Sequence, residues 1–277
     1  MPQPDLFSDG SEENSSGSMG MLLLIAAIVL LIVGGAFLYF KSQSLLTPTD
    51  AYSLCPIKQN PAEVVAILLD PSDRLGEPQK IQLQGILQRI ADKVPKFGLV
   101  EVYRIGTTAS ALPSPVIHLC NPGTGDSVSQ VYANPELATR KWKMFAESVT
   151  TTINREISTN QQASSPIFEA VQAIGVRAFS QPMFDHLPKR LVIVSDLLQN
   201  VPGHIDMYRS MPEFSTFKAT PYYKQIRTDL SGVTVFIVYL NRPFVPTQGR
   251  AHVNFWENYF RDQNAEVESV IQLFGDR

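Results

Sequence analysis

An uninterrupted apolar run near the start of the chain constrains its structure more than any other sequence feature. Residues 21–40 read MLLLIAAIVLLIVGGAFLYF and contain no charged side chain. At a rise of about 1.5 Å per residue, a helix of this length spans the roughly 30 Å hydrocarbon core of a bilayer. Tyr39, Phe40 and Lys41 provide the aromatic and cationic side chains typical of a membrane interface. We therefore predict a transmembrane helix over residues 21–40 that contacts the lipid bilayer.

The segments on either side of this run differ in composition. Residues 1–20 are acidic and rich in Ser and Gly, which predicts a disordered tail, and residues 41–62 carry three prolines, which predicts a linker. Basic residues near the ends of a membrane helix favour the cytoplasmic side, and Lys41 and Lys58 follow the run while none precedes it. We expect the large C-terminal part on the cytoplasmic side of an inner (plasma) membrane, with the periplasm as the open alternative.

Residues 63–277 alternate between strand-like and helix-like segments and predict a single domain. Apolar runs and alternating patterns predict strands over 64–69, 99–105, 116–120, 190–194, 233–240 and 267–274. Helical spacing predicts helices over 79–94, 142–157, 167–179 and 251–262. Such alternation implies right-handed crossovers and a mostly parallel sheet covered on both faces. The predicted fold class is α/β, doubly wound, with the second and third strands forming an antiparallel pair.

The overall charge argues against one class of partner. The formal net charge is −3, and no basic cluster is present that would attract phosphates, so we expect no nucleic acid to bind. Hydrophobic residues make up 44% of the chain, which is enough for a packed core.

Cys55 and Cys120 are the only two cysteines in the sequence. They are too few for a zinc site, which needs four ligands at characteristic spacings. The predicted strand order places both near one pole of the sheet, where a disulfide is feasible and would imply an oxidising compartment. Two unrelated buried thiols are the alternative, and free thiols agree with the cytoplasmic expectation.

The residues that follow the buried strands bear on function, because doubly wound sheets bind ligands beyond the carboxyl ends of their strands. Residues 70–74 read DPSDR after the first strand, Ser195 and Asp196 follow the fourth, and residues 164–167 read SSPI before a helix. This combination resembles the metal-ion-dependent adhesion site of the von Willebrand factor A (integrin I-like) family. That site combines a D-x-S-x-S loop after the first strand, a loop Thr, and an Asp after the fourth strand.

The resemblance implies a set of metal ligands and a kind of partner. Asp70 and Ser72 match the first positions of the loop, Ser165 stands in place of the Thr, and Asp196 matches the later Asp. Carboxylates and hydroxyls are ligands that Mg²⁺ prefers. The resemblance thus implies a protein-binding or complex-assembly module rather than an enzyme, in which an acidic residue of another protein completes the coordination of Mg²⁺.

Two departures from the family pattern leave other interpretations open. Arg74 replaces the second Ser of the loop and Leu197 replaces a Gly that follows the later Asp. Arg74 would then supply the positive charge itself, by pairing with Asp70 or Asp196 without any metal. In a third interpretation the two Asp residues merely begin loops or cap helices, and the domain is a metal-free scaffold.

An enzyme of the aspartyl-phosphate type is the remaining alternative, because such hydrolases also place a nucleophilic Asp after the first strand. They use D-x-D, whereas Ser72 stands where the second acid, the proton donor, is needed after Asp70.

Three further features bear on binding. The scattered histidines, His118 among them, form no metal motif and are interpreted as core or solvated side chains. The loop over residues 243–248 precedes the last helix, and loops at this edge of a sheet often carry binding specificity. The aromatic side chains of that helix form either core or an exposed docking face; they are Phe255, Trp256, Tyr259 and Phe260.

Overall fold

The computed structural model describes residues 16–45, 47–70, 75–106, 114–124, 134–158 and 164–275. The chain forms two compact units, Met1–Leu46 and Thr47–Arg277. Most of the predicted acidic tail, residues 1–15, lies outside the described residues, and helix α1 begins at Ser16.

The first unit contains helix α1, Ser16–Leu45. Its segment Gly20–Phe40 is, among the residues described, the one helix long and apolar enough to cross a membrane. The large apolar side chains of this segment are exposed rather than packed into a core. A buried core helix would show the opposite, so the exposure is compatible with a helix that meets lipid.

The second unit is built around a six-stranded sheet. Its described strands are β1 (Val64–Leu69), β2 (Leu99–Arg104), β3 (Ile117–Cys120), β4 (Lys189–Ser195), β5 (Asn200–Val201), β6 (Ile205–Asp206), β7 (Val233–Leu240) and β8 (Glu266–Leu273). The sheet has the order β3-β2-β1-β4-β7-β8, and β5 and β6 form a separate small hairpin. Neighbouring strands of the sheet are parallel except for the antiparallel pair β2–β3. The predicted doubly wound α/β class is confirmed, and each of the six predicted strands is present.

Helices cover both faces of this sheet. They are α2 (Glu77–Lys93), α3 (Pro135–Ser158), α4 (Ile167–Ile174), α5 (Phe214–Lys218), α6 (Pro221–Ile226) and α7 (Arg250–Asp262). Helix α3 begins seven residues before its predicted start, because the Asn134 side chain accepts a hydrogen bond from the Leu137 N–H and Pro135 opens the helix. The short helices α5 and α6 and the β5–β6 hairpin were not predicted, since segments of two to six residues carry too little periodicity.

The central strand β1 shows how the sequence forms two cores. Val64, Ala66 and Leu68 pack on the face covered by α4 and α7, and alternate residues pack on the face covered by α2 and α3. All six residues of the strand are buried, as its continuous apolar run predicts.

The aromatic residues of α7 belong to the core. Phe255, Trp256, Tyr259 and Phe260 are each at most 3% exposed. The ring of Trp256 stacks on that of Phe168 in α4 with 4.5 Å between the centroids. An exposed docking face on this helix is therefore wrong.

Cys55 and Cys120 are joined by a disulfide in the structure. The bond attaches the segment that precedes β1 to the edge strand β3, and the Cys120 N–H also donates to the Ser53 carbonyl. Residues 47–62, part of the predicted linker, accordingly fold with the second unit, where Ala62 N–H donates to Phe97 O.

Candidate functional site

The residues after β1 and β4 lie side by side because the two strands are parallel neighbours. Leu69 pairs with Val194, so the next residues, Asp70 and Ser195, emerge together at the carboxyl edge of the sheet. The Asp70 N–H donates to the Val194 carbonyl at 3.0 Å and fixes this register at the edge. We call the cluster of Asp70, Ser165, Ser195, Asp196 and Arg242 the strand-end site.

Asp70 accepts hydrogen bonds from two hydroxyls. Its Oδ2 lies 2.9 Å from Ser165 Oγ and 2.7 Å from Ser195 Oγ, and Asp70 is only 2% exposed. Ser165 is placed here by an antiparallel bridge to Asn200. The structure thus brings together two of the predicted site residues, Asp70 and Ser165, and adds Ser195, which was not predicted as a ligand.

Asp196 is fully buried and its carboxylate is surrounded by donors. Oδ2 lies 3.0 Å from Arg242 Nε and 3.3 Å from the Tyr208 hydroxyl, while Oδ1 accepts the Leu198 N–H at 2.9 Å. The Arg242 side chain is only 8% exposed. Arg242 was missed because nothing close to it in sequence marks it; its position directly beyond β7, at the same edge of the sheet, was the available signal.

Electrostatics at the strand-end site favour a paired charge. Burial, and to a smaller degree the charge of Asp70, raises the pKa of Asp196 to about 6, while Arg242 and the Leu198 N–H act in the opposite direction. A carboxylate without such partners would be strongly disfavoured at this depth. The guanidinium of Arg242 therefore stabilises the ionised form of Asp196.

Leu197 adopts a backbone conformation that glycine would adopt more easily. Its φ is +59°, in the left-handed region, at the position where the family pattern has Gly. Its carbonyl accepts hydrogen bonds from Trp256 Nε1 at 3.0 Å and from His252 Nε2 at 3.1 Å. Burial lowers the pKa of His252 to about 4, so the ring is neutral at neutral pH. Buried donors from α7 thus offset the local strain of the turn.

Both ring nitrogens of His252 make polar contacts. Nε2 lies 3.1 Å from the Leu197 carbonyl oxygen and 3.2 Å from Trp256 Nε1, and Nδ1 lies 2.7 Å from the Tyr239 hydroxyl. The histidine is a buried structural residue beneath the strand-end site, in agreement with its interpretation as core.

The loop between β7 and α7 is fastened to this site at both ends. Gln248 Nε2 donates to the carbonyls of Asp196 and Leu240, both at 3.0 Å, and Gln248 Oε1 accepts the Arg242 N–H at 2.6 Å. In the middle of the loop, Phe244 is 99% exposed and has a φ of +64°. The predicted binding loop, residues 243–248, therefore displays an aromatic side chain from a backbone held by buried contacts.

The oxygens in the described part of the strand-end site are already engaged in hydrogen bonds. Both hydroxyls already donate to Asp70, both oxygens of Asp196 accept hydrogen bonds, and the cationic Arg242 would repel Mg²⁺. In the described part of the chain, no group of three or more His, Cys, Asp or Glu side chains is arranged to hold a metal. Ser72 and Arg74, predicted as ligand and as charge substitute, lie outside the described residues.

Replacing Arg242 with Met should destabilise the domain, because Asp196 would keep a buried charge without its ionic partner. Removing one member of a buried pair typically lowers the free energy of unfolding by about 3–5 kcal/mol. The variant raises the pKa of Asp196 further, so its stability is retained at low pH and lost as the pH rises. The loss in free energy of unfolding relative to the wild type should therefore be largest above about pH 6, which is the pKa of Asp196 in the wild type.

Urea unfolding of the full chain in detergent, at about pH 5 and about pH 8, measures this difference. The double variant Arg242→Met, Asp196→Asn is the control; it removes both charges and should recover much of the stability at the higher pH. An equal loss at both pH values would argue for lost packing rather than a lost ion pair.

Comparison with known proteins gives similarity of structure only. No family model matches the sequence, and no curated protein matches it. Solved structures that match include the conserved hypothetical protein BatB from Bacteroides thetaiotaomicron, with 13% identity, 77% of this chain and 91% of that chain covered, and a TM-score of 0.39. An aerotolerance-related membrane protein from Bacteroides fragilis NCTC 9343, with multiple mutations to serines, gives 13% identity, 76% and 92% coverage, and a TM-score of 0.39. The SpRpn10 VWA domain has 11% identity, with 78% of this chain and 89% of that chain covered, and a TM-score of 0.37.

Proposed function

We propose that this chain is a single-pass, membrane-anchored protein-binding or complex-assembly module that contacts its partner at the carboxyl edge of its sheet. The observation that carries the proposal is Phe244, which is 99% exposed on a loop fastened to the strand-end site. Large aromatic side chains are effective anchors when they enter a partner's pocket, and a backbone that is already fixed reduces the conformational entropy lost on binding.

The backbone of the loop strengthens this interpretation. A bulky residue in the left-handed region is uncommon and is maintained only where its surroundings fix it. Arg242 and Gln248 fix the loop through their hydrogen bonds with each other and with Asp196. The position of Phe244 therefore depends on the buried ion pair.

The partner is proposed to be a protein that meets the loop through an apolar contact. In the von Willebrand factor A family, which the sequence resembles, an acidic residue of the partner completes a metal site. The Arg242 side chain is 8% exposed and already paired with Asp196, which leaves it poorly placed to receive such a residue. An apolar pocket that accepts Phe244 fits the exposed chemistry of this edge better.

We also propose that the strand-end site works without a metal ion, with Arg242 in the place of the cation. Mg²⁺ bound by Asp70, Ser72, Ser165 and Asp196 stays a prediction of the sequence. The hydrogen bonds that occupy Asp70 and Asp196 favour the metal-free alternative.

The burial of Asp70 weighs against the hydrolase alternative. A nucleophilic carboxylate must reach its substrate, whereas Asp70 is 2% exposed and accepts two serine hydroxyls. We therefore retain a binding role and propose no reaction.

For the location of the domain we propose the oxidising side of the membrane. The Cys55–Cys120 bond supports the periplasm or an equivalent compartment, since cytosolic thiols are kept reduced. It outweighs the cytoplasmic expectation, which rests on only two lysines, Lys41 and Lys58.

Replacing Phe244 with Asn should remove the partner while leaving the fold intact, because Asn tolerates the left-handed backbone but cannot fill an apolar pocket. Quantitative co-purification of the full chain from its native membrane, after gentle detergent extraction, measures the loss. The matched control is Tyr52→Asn, which removes another aromatic side chain in a residue that is 91% exposed. Proteins that co-purify equally with wild type and Phe244→Asn would contradict the proposed contact.

Adding Mg²⁺ should leave the melting temperature of the full chain unchanged relative to EDTA. An ion present at a concentration of 100 times its Kd would stabilise the fold by about 2.7 kcal/mol. Because 1 kcal/mol corresponds to roughly 2–4 °C at this size, the melting temperature would rise by a measurable amount. An increase of several degrees that disappears in both Asp70→Asn and Asp196→Asn would overturn the metal-free proposal and restore the magnesium site.

A membrane-impermeant thiol reagent tests the location of the domain. Intact cells expressing the chain should show no labelling before reduction, and labelling of Cys55, the less buried of the two cysteines, after treatment with a reductant. Labelling that needs no reductant but occurs only after the cells are lysed would indicate free thiols and a cytoplasmic domain.

A further inference from the structure

A second candidate site lies at the opposite edge of the sheet from Asp70 and Asp196. A cavity of about 480 Å³ opens between the segment that contains Cys55 and Lys58, the β2–β3 strand pair, and the turn that contains Met183. Its volume is within the roughly 300–1,000 Å³ typical of small-molecule sites. None of the contacts at the strand-end site involves its lining.

The single carboxylate in the lining of this cavity is already engaged. Glu101 is 6% exposed; its Oε2 accepts the Tyr103 hydroxyl at 2.7 Å, and its Oε1 lies 2.8 Å from His118 Nδ1. The hydrogen bond to Glu101 raises the pKa of His118, which favours the protonated imidazole. Both oxygens of Glu101 are thus occupied by contacts with neighbouring side chains.

Two side chains of the lining retain nitrogen atoms for a ligand. The His118 side chain is 51% exposed, and its contact with Glu101 uses Nδ1 and leaves Nε2. Lys58 has no ion-pair partner among the residues that the structure describes. Lys58 thus adds a cation to a lining in which the oxygens of Glu101 are already engaged.

The remaining walls are largely apolar and partly open. Ile57 is 65% exposed and Met183 is 55% exposed, and the buried Leu99 and Phe184 also line the cavity. The disulfide at Cys55 fixes the wall that carries Ile57 and Lys58, so little ordering should be needed when a ligand enters.

We infer that this cavity binds an apolar carboxylate, such as a short aliphatic acid or the C-terminal residue of an apolar peptide. Lys58 and His118 Nε2 hold the carboxylate group, and Ile57 and Met183 contact the apolar part. The inference is independent of the proposed partner contact at Phe244, since the two sites lie at opposite edges of the sheet.

Isothermal titration calorimetry on the full chain in nanodiscs tests this inference, with empty nanodiscs as the blank. One arm compares hexanoate with hexanamide, and the other compares N-acetyl-leucine with N-acetyl-leucine amide, so the two arms distinguish an aliphatic acid from a peptide end. At least one acid should bind, and its amide should bind at least tenfold more weakly because it lacks the charge that Lys58 and His118 recognise.

Variants at the lining locate the binding. Lys58→Gln and His118→Gln should each weaken binding of the acid about tenfold or more, which corresponds to about 1.4 kcal/mol. Lys93→Gln, which removes an exposed cation of α2 outside the lining, should leave it unchanged. Each variant should keep the wild-type melting temperature. If His118→Gln lowers it, the affinities of Lys58→Gln and Met183→Gln for the acid test the inference instead. Absence of binding by both acids, equal binding of acid and amide, or unchanged affinity in the folded lining variants would overturn the inference.

Discussion

The buried ion pair between Arg242 and Asp196 is the interaction on which the carboxyl edge of the sheet depends. Two charges at this depth remain only if each satisfies the other and neighbouring dipoles complete their hydrogen bonds. That requirement fixes the end of β4 relative to the end of β7, and through Gln248 it fixes the loop that follows. The exposed position of Phe244 is thus a consequence of a constraint set in the interior.

The strand-end site places a guanidinium among oxygens that would also suit a hard cation. Hydroxyls and carboxylates that would suit a hard cation point here at one another and at a guanidinium. A metal ion can dissociate, whereas a side chain cannot. If Arg242 alone supplies the positive charge, as proposed above, the charge balance of this edge does not depend on the ionic composition of the surroundings. Such an edge would suit permanent presentation of a surface rather than cation-controlled binding.

The sequence predicts those features that depend on local patterns. Strands such as Val64–Leu69 are identified with their observed ends, because a short apolar run that ends at a polar residue is typical of a strand covered on both faces of a sheet. Asp70 and Asp196 are found for a similar reason, since polar residues directly after buried strands must meet at one edge. Short elements such as Pro221–Ile226 are missed because one helical turn leaves no period to detect.

Contacts between residues that are distant in the sequence could not be predicted from local patterns. Arg242 follows Asp196 by 46 residues and reaches it only because β4 and β7 are neighbours, which no local pattern reveals. The choice between paired and separate thiols for Cys55 and Cys120 likewise depends on how the segment before β1 folds against β3. Leu197 illustrates a third kind of limit: its departure from the Gly of the family pattern is visible in the sequence, but the donors on α7 that make it tolerable are not.

The covalent bond between Cys55 and Cys120 has a mechanical consequence. If residues 21–40 are held in a membrane while a partner pulls on the domain, tension enters the domain along the chain that leads to Cys55. At that residue the load passes through the sulfur atoms to the edge strand β3 and bypasses the stretch of chain between the two cysteines, which are 65 positions apart in the sequence. Strands β1 and β2 lie within this stretch, so the cross-link shields them from being peeled away in sequence. A domain tethered in this way can transmit force to its anchor without loosening the strand that carries Asp70.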